Sequence, residues 1–117
     1  VGNGDRRRVV LGAFGEKLAA AHYRAQGYAV LERNWRCRAG EIDLICARGT
    51  TLVVCEVKAR TGSAHGHPLE AVTALKQRRL RRLAAAYLRQ QSSHWADIRF
   101  DVAGVLDGTI EVVEGAF

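Results

Sequence analysis

Proline is nearly missing from this 117-residue chain: Pro68 is the single one. No Pro- or Ser-rich linker, internal repeat or low-complexity block interrupts the sequence. That argues for one domain, since domains typically run to roughly 100–150 residues. Long apolar runs are missing too. A membrane-spanning helix needs about 18 or more consecutive apolar residues, and none occurs. The opening VGNGDRRRVVLGAFGE sets arginines before a short apolar piece, but its glycines and Glu16 break it too soon for a signal peptide. Cysteine is sparse and odd in number, three in all, with no CxxC pair and no Cys/His spacing suited to zinc. Cys46 and Cys55 fall inside apolar patterns as small hydrophobes, while Cys37 lies in a basic loop. No Ser/His/Asp or Cys/His nucleophile pattern stands out, and no phosphate-cradling glycine loop follows a strand. These absences point to a soluble cytoplasmic protein that keeps its thiols reduced.

What the chain has in excess is positive charge. Lysine and arginine number 18 against 12 acidic residues, a formal net charge of +6. In a small domain that balance suggests a polyanionic partner, nucleic acid or an acidic membrane surface; plain solubility is the other account. The hydrophobic fraction of 48% is enough for a core without help from disulfides or a metal.

Residues 1–8, with Gly2, Gly4 and Arg6-Arg7-Arg8, read as a flexible basic leader, and residues 9–117 as the domain. From about Val9 to Gln26 the recurrence of Phe14, Leu18, Ala21 and Ala25 predicts a helix, with Gly27 as its C-cap. YAVLERNWR reads as a strand, CRAG as a turn, and EIDLICA and TLVVCEVKA as two further strands around Arg48-Gly49-Thr50. TGSAHGHP is an exposed loop carrying His65 and His67. Its Pro68 suits the first turn of a helix over LEAVTALKQRRLRRLAAAYLRQQ. DIRFDVAGVL and TIEVVEG follow as strands around an Asp107-Gly108 hairpin signal. The order α-β-β-β-α-β-β predicts an α/β domain with a helix on each side of a mixed sheet.

The stretch from Gly40 to Arg60 sets Asp43, Glu56 and Lys58 among apolar strand residues. Alternation puts Glu41, Asp43 and Ile45 on one face, and Leu52, Val54, Glu56 and Lys58 on one face of the next strand. Closing the hairpin at Gly49-Thr50 brings Asp43 opposite Glu56, Glu41 opposite Lys58 and Ile45 opposite Val54. Directly opposed Cβ atoms lie about 5 Å apart, and like charges there are destabilising. A divalent cation held by the carboxylates would relieve the repulsion, with Lys58 placed to orient a water or neutralise charge on phosphorus. The same residues also fit a solvated hairpin face with ion pairs, Glu41 with Lys58 and Asp43 with Arg60 or Arg36.

The ordered set GAFGEKLAAAHYRAQGY, VLERNWR, GEIDLI, VCEVKAR, AVTALKQRRL and RFDV covers nearly the whole chain. It resembles the YraN family of uncharacterised bacterial proteins, which are similar to archaeal Holliday-junction resolvases. GEIDLI with VCEVKAR looks like the D…(D/E)xK core of the restriction-endonuclease-like PD-(D/E)xK nucleases. Ile42 stands where the superfamily label has proline. The resemblance implies a three-layer α/β/α fold, with Asp43, Glu56 and, from the first helix, Glu16 binding Mg²⁺ or Mn²⁺. Lys58 would assist the attacking water, and Gln77 or Lys76 would reach the site from the second helix. A symmetric dimer is implied as well.

In KQRRLRR, from Lys76 to Arg82, five of seven residues are cationic. A helical wheel gathers Val72, Leu80, Leu83, Ala84 and Tyr87 into an apolar stripe, with Arg78, Arg82 and Arg89 opposite and Lys76 and Gln77 at its flank. Lys76, Arg78, Arg79, Arg82, Arg36 and Arg60 are the candidate phosphate contacts. The expectation is a metal-dependent DNA nuclease, on branched or repair intermediates; the alternative is a non-catalytic nucleic-acid-binding protein on the same scaffold. No membrane partner is expected, because the apolar stripe is needed for the core.

Overall fold

The computed structural model describes the backbone of residues 3–60 and 72–117 and the side chains of residues 12–59 and 72–117. The elements are α1 (Asn3–Ala25), β1 (Ala29–Cys37), β2 (Gly40–Arg48), β3 (Thr51–Arg60), α2 (Ala74–Arg89), β4 (Asp97–Leu106) and β5 (Thr109–Val113). Their order is the expected one. The strands lie in the sheet in chain order, β1-β2-β3-β4-β5. The pairs β1–β2, β2–β3 and β4–β5 are antiparallel, while β3–β4 is parallel. A parallel neighbour requires a crossover, and α2 lies within it. The β4–β5 turn places Asp107 at φ 48° and Gly108 at φ 82°. Positive φ at both central residues is what a type I′ turn demands, hence the Asp-Gly pair.

The two faces of the sheet carry separate cores. On one, Leu80, Leu83, Ala84 and Tyr87 of α2, with Val72, pack on Ile45, Leu52, Val54, Phe100 and Val102. This is the stripe the wheel predicted. On the other, Ala19, Ala20 and Tyr23 of α1 pack on Leu44, Cys46, Val53, Cys55 and Ala103. The result is a three-layer α/β/α domain. Among the described residues no helix is long and apolar enough to cross a membrane.

The buried face of α1 is not the predicted one. Phe14 is 47% exposed and Ala21 and Ala25 are exposed, whereas Gly15, Ala19, Ala20 and Tyr23 are buried. Close approach explains the choice. A Cβ added at Gly15 would stand 2.8 Å from Ala59 Cβ, so only glycine lets the helix lie this near β3. Small residues make the contact nearest β3, Phe14 is turned out, and Tyr23 is the one large side chain the face buries among the described residues. The helix also opens earlier than the periodicity indicates, at Asn3. Residues 3–8, expected as a leader, form its first turns, in keeping with the good helix propensity of three consecutive arginines.

Among the described residues the second helix starts at Ala74, capped by Thr73, whose hydroxyl accepts from Lys76 N at 3.2 Å; its expected first residue, Leu69, lies outside the described residues. Cys37, expected in a loop, ends β1 and packs half-buried on the α2 side. His65, His67 and Pro68 lie outside the described residues, as does the side chain of Arg60.

Beneath α1 a carboxylate is wholly buried. Asp101 on β4 accepts from Tyr23 Oη at 2.6 Å, from Arg99 Nε and Nη2 at 2.9 Å each, and from Gly115 N at 3.0 Å. Burial, reinforced by the neighbouring acid groups, pushes the Tyr23 hydroxyl pKa upwards, so it remains a donor. Both Asp101 oxygens are satisfied, as a buried charge must be.

Candidate active site

The β1–β2 pairing shifts register between Val30 and Glu32, and a second irregularity, where β2 and β3 part, lies at Asp43. The β2–β3 ladder keeps the expected register, with Ile45 opposite Val54, but its last pair is Leu44 with Cys55. Beyond it the Val57 amide donates to Asp43 Oδ2 at 2.8 Å. Across β1 the residue between the pairs Arg33↔Leu44 and Trp35↔Ile42 is Asn34, whose φ is 55°. Strict alternation also fails here. Ile42 was expected to share a face with Leu44 and Cys46, yet it joins Ile45 in the α2-side core. The slip turns Asp43 into the gap where β2 and β3 part.

Three carboxylates meet at the gap. Glu16 from α1, Glu41 and Asp43 each offer an oxygen, and these lie within 4.8 Å of one another. The close approach at Gly15 is what carries Glu16 to β2. Burial pushes the Asp43 carboxyl up to about 8; the charge of Glu56 adds to the rise, Glu56 hydrogen-bonds its protonated form, and the Val57 amide opposes. Glu16 is also raised, by burial first and then by the charge of Glu41, against a hydrogen bond from Asn34.

Glu56 is buried on the α2 side of the same gap, 6% exposed. Its neighbour is a protein cation: Lys76 Nζ forms an ion pair with Glu56 Oε2. A cavity of about 350 Å³ opens here, lined by Glu41, Asp43, Glu56, Lys58, Lys76 and Arg79 over Leu80 and Leu83. Lys58 is exposed at its wall.

The predicted constellation is therefore divided. Asp43, Glu56, Lys58 and Lys76 share one cavity, and Glu16 joins Asp43 from the α1 side. Gln77 does not reach the cavity; its Nε2 donates to Val72 O at 3.4 Å. The first turn of α2 presents Lys76 instead. Glu41 was expected opposite Lys58, but the ladder ends before that pair, and Glu41 meets Arg36 at 2.8 Å across β1–β2. Arg78 and Arg82 are exposed on α2, as is Arg79, which also borders the cavity. Asn34 escaped the sequence reading. Its signal was an asparagine in mid-strand, where that residue type is depleted.

The sequence pattern of the uncharacterised protein family UPF0102 matches residues 15–105. The chain belongs to that family. The match runs from Gly15 to Val105, so it takes in Glu16, Glu41, Asp43 and Glu56. Among relatives of this UPF0102 protein, that of Acidothermus cellulolyticus is 49% identical over 94% of this chain and 95% of its own length. That of Rhodococcus opacus is 49% identical over 93% and 97%. That of a Nocardioides species is 53% identical over 82% and 77%.

In the UPF0102 chain the donor set fits a hard divalent cation. Carboxylate oxygens are the ligands Mg²⁺ and Mn²⁺ prefer. Burial first, and the neighbouring carboxylates after it, raise Asp43 and Glu16, and a bound cation would oppose both shifts. Glu16, Glu41, Asp43 and Glu56 are the carboxylates that would hold the ion.

Proposed function

We propose that this UPF0102 protein is a metal-dependent phosphodiester hydrolase acting on DNA. The observation that carries the reading is the convergence of Asp43, Glu56 and Lys58 on one cavity where the β2–β3 ladder ends, beside an arginine-rich helix. Mg²⁺ or Mn²⁺, when bound, supplies a lowered pKa for water and neutralisation of a phosphate oxygen. Asp43, fixed by the Val57 amide, Glu16 and Glu41 beside it, and Glu56 from the α2 side would bind the cation. Lys58, exposed at the cavity wall, orients the entering water or takes the charge that develops on the phosphoryl group. Water adds to phosphorus as a bridging P–O bond breaks, leaving phosphate on one end and hydroxyl on the other. Arg78, Arg79 and Arg82 extend the cationic surface along α2, where they contact backbone phosphates without reading sequence. Branched DNA, with a symmetric pair of copies, is the finer form of the proposal.

A non-catalytic nucleic-acid-binding protein on this scaffold is the second reading, favoured by the ion pair that already occupies Glu56. It predicts salt-dependent DNA binding without turnover under any metal. The deciding assay offers linear, flapped and four-way DNA with Mg²⁺ or Mn²⁺ to the wild type, Asp43→Asn and Glu56→Gln. Each substitution is expected to lower cleavage by about 10²-fold or more, as loss of one transition-state contact does, with the fold retained. Cleavage that survives in both variants rejects the assignment.

A further inference from the structure

Lys76 is placed where its own helix does not favour it. It stands three residues after the N-cap Thr73, in the first turn of α2, a turn without acidic residues. Helix N-termini carry partial positive charge and disfavour cations. What retains the ammonium is Glu56, whose carboxylate side chain is 7% exposed against 35% for Lys76. A buried carboxylate beside a second, crowded one needs a counter-ion. Lys58 and Arg79 also border the cavity, but among the described residues Lys76 alone forms an ion pair with Glu56. Its stem is long and partly in solvent, so the head can leave without unfolding the helix.

We propose that Lys76 is a resident counter-ion which a divalent cation displaces from Glu56, so that this lysine sets the metal affinity of the site and, once released, becomes a phosphate contact. The inference rests on the metal-dependent reading above. It differs from a fixed auxiliary role: a fixed auxiliary supports the loaded site, whereas a resident counter-ion competes with the ion. Removing it must therefore tighten metal binding while weakening the metal-free protein.

The test is calorimetric titration of Mn²⁺ into wild type, Lys76→Met and Lys76→Arg, with melting measured in EDTA. Arg24→Gln controls for the lost charge, since Arg24 is exposed about 12 Å along α1 from Glu16. Lys76→Met is expected to bind Mn²⁺ about 10-fold more tightly than wild type, the scale of one partly exposed charge pair. Lys76→Arg and Arg24→Gln are expected within about 2-fold of wild type. Lys76→Met should also melt lower in EDTA and recover with Mn²⁺. Should Lys76→Met fail to fold, Lys76→Gln replaces it with the same expectation. Equal or weaker binding by the neutral variant overturns the counter-ion role and leaves the metal site standing. Binding by neither the wild type nor the variant overturns both.

Discussion

Asp101 and Asp43 are both buried or half-buried aspartates on neighbouring parts of one sheet, and they are treated in opposite ways. Asp101 has four donors on its two oxygens, including both arms of Arg99. Asp43 has one backbone donor and three other carboxylates nearby. The first is a closed account of charge within the fold. Among the described residues the second gives Asp43 itself no cationic partner, the cations at hand being Arg36 on Glu41 and Lys76 on Glu56. A buried acid marks a site only when its partners are insufficient.

Breaking Asp101 should give the largest loss of stability. Asp101→Ala leaves the Arg99 guanidinium and the Tyr23 hydroxyl without their acceptor, and removal of one partner from a buried pair costs about 3–5 kcal/mol. Urea denaturation measures it. A loss below about 1 kcal/mol would mean the network is not buried as described.

The pH dependence sharpens the contrast. Because the Asp43 carboxyl is raised from 3.8 to about 8, the folded protein keeps a proton across that window that the unfolded chain has released. Stability from this group is complete below the unfolded value and is lost as pH rises through the folded one. In EDTA at the upper end of the window, Asp43→Asn should therefore melt higher than wild type, and Asp101→Asn lower. Thermal melts from pH 5 to about 9 follow both. Two substitutions of the same kind that move in the same direction would erase the distinction drawn here.

Gly15→Ala is the smallest of these changes. Its Cβ would meet Ala59 Cβ at 2.8 Å, which neither backbone can evade cheaply, so about 1–3 kcal/mol is expected. The α1 helix must back away, carrying Glu16 from Asp43, and divalent-ion affinity should fall with the stability. An affinity unchanged in a destabilised Gly15→Ala protein would remove Glu16 from the ligand set.

Much of this was legible beforehand, for physical reasons that differ by element. The strands and the Asp107-Gly108 turn follow from alternation and from the need for positive φ, both local properties. The α2 stripe is large and apolar on one side, so a wheel finds it. The α1 face is made of Gly15, Ala19 and Ala20, whose burial is set by how near β3 lies, and a wheel weighted by hydrophobicity selects Phe14 instead. Asp43 and Glu56 could be paired because register propagates along a hairpin. The end of the ladder just past Leu44, the turn of Ile42 to the other core and the move of Glu41 to Arg36 depend on a third strand, which no pairwise reading contains. Asp101 was invisible for the same reason: its donors come from α1, from its own strand and from the chain after β5.

Melting temperature with and without Mn²⁺ at pH 8, for wild type and Asp43→Asn side by side, probes the claim that the Asp43 cluster awaits a cation. A ligand that binds only the folded form raises its stability in proportion to the logarithm of ligand concentration over Kd. The wild type should therefore rise steadily as Mn²⁺ is added, while Asp43→Asn starts higher and stays level. A wild type indifferent to Mn²⁺, or an equal rise in the two proteins, would contradict it.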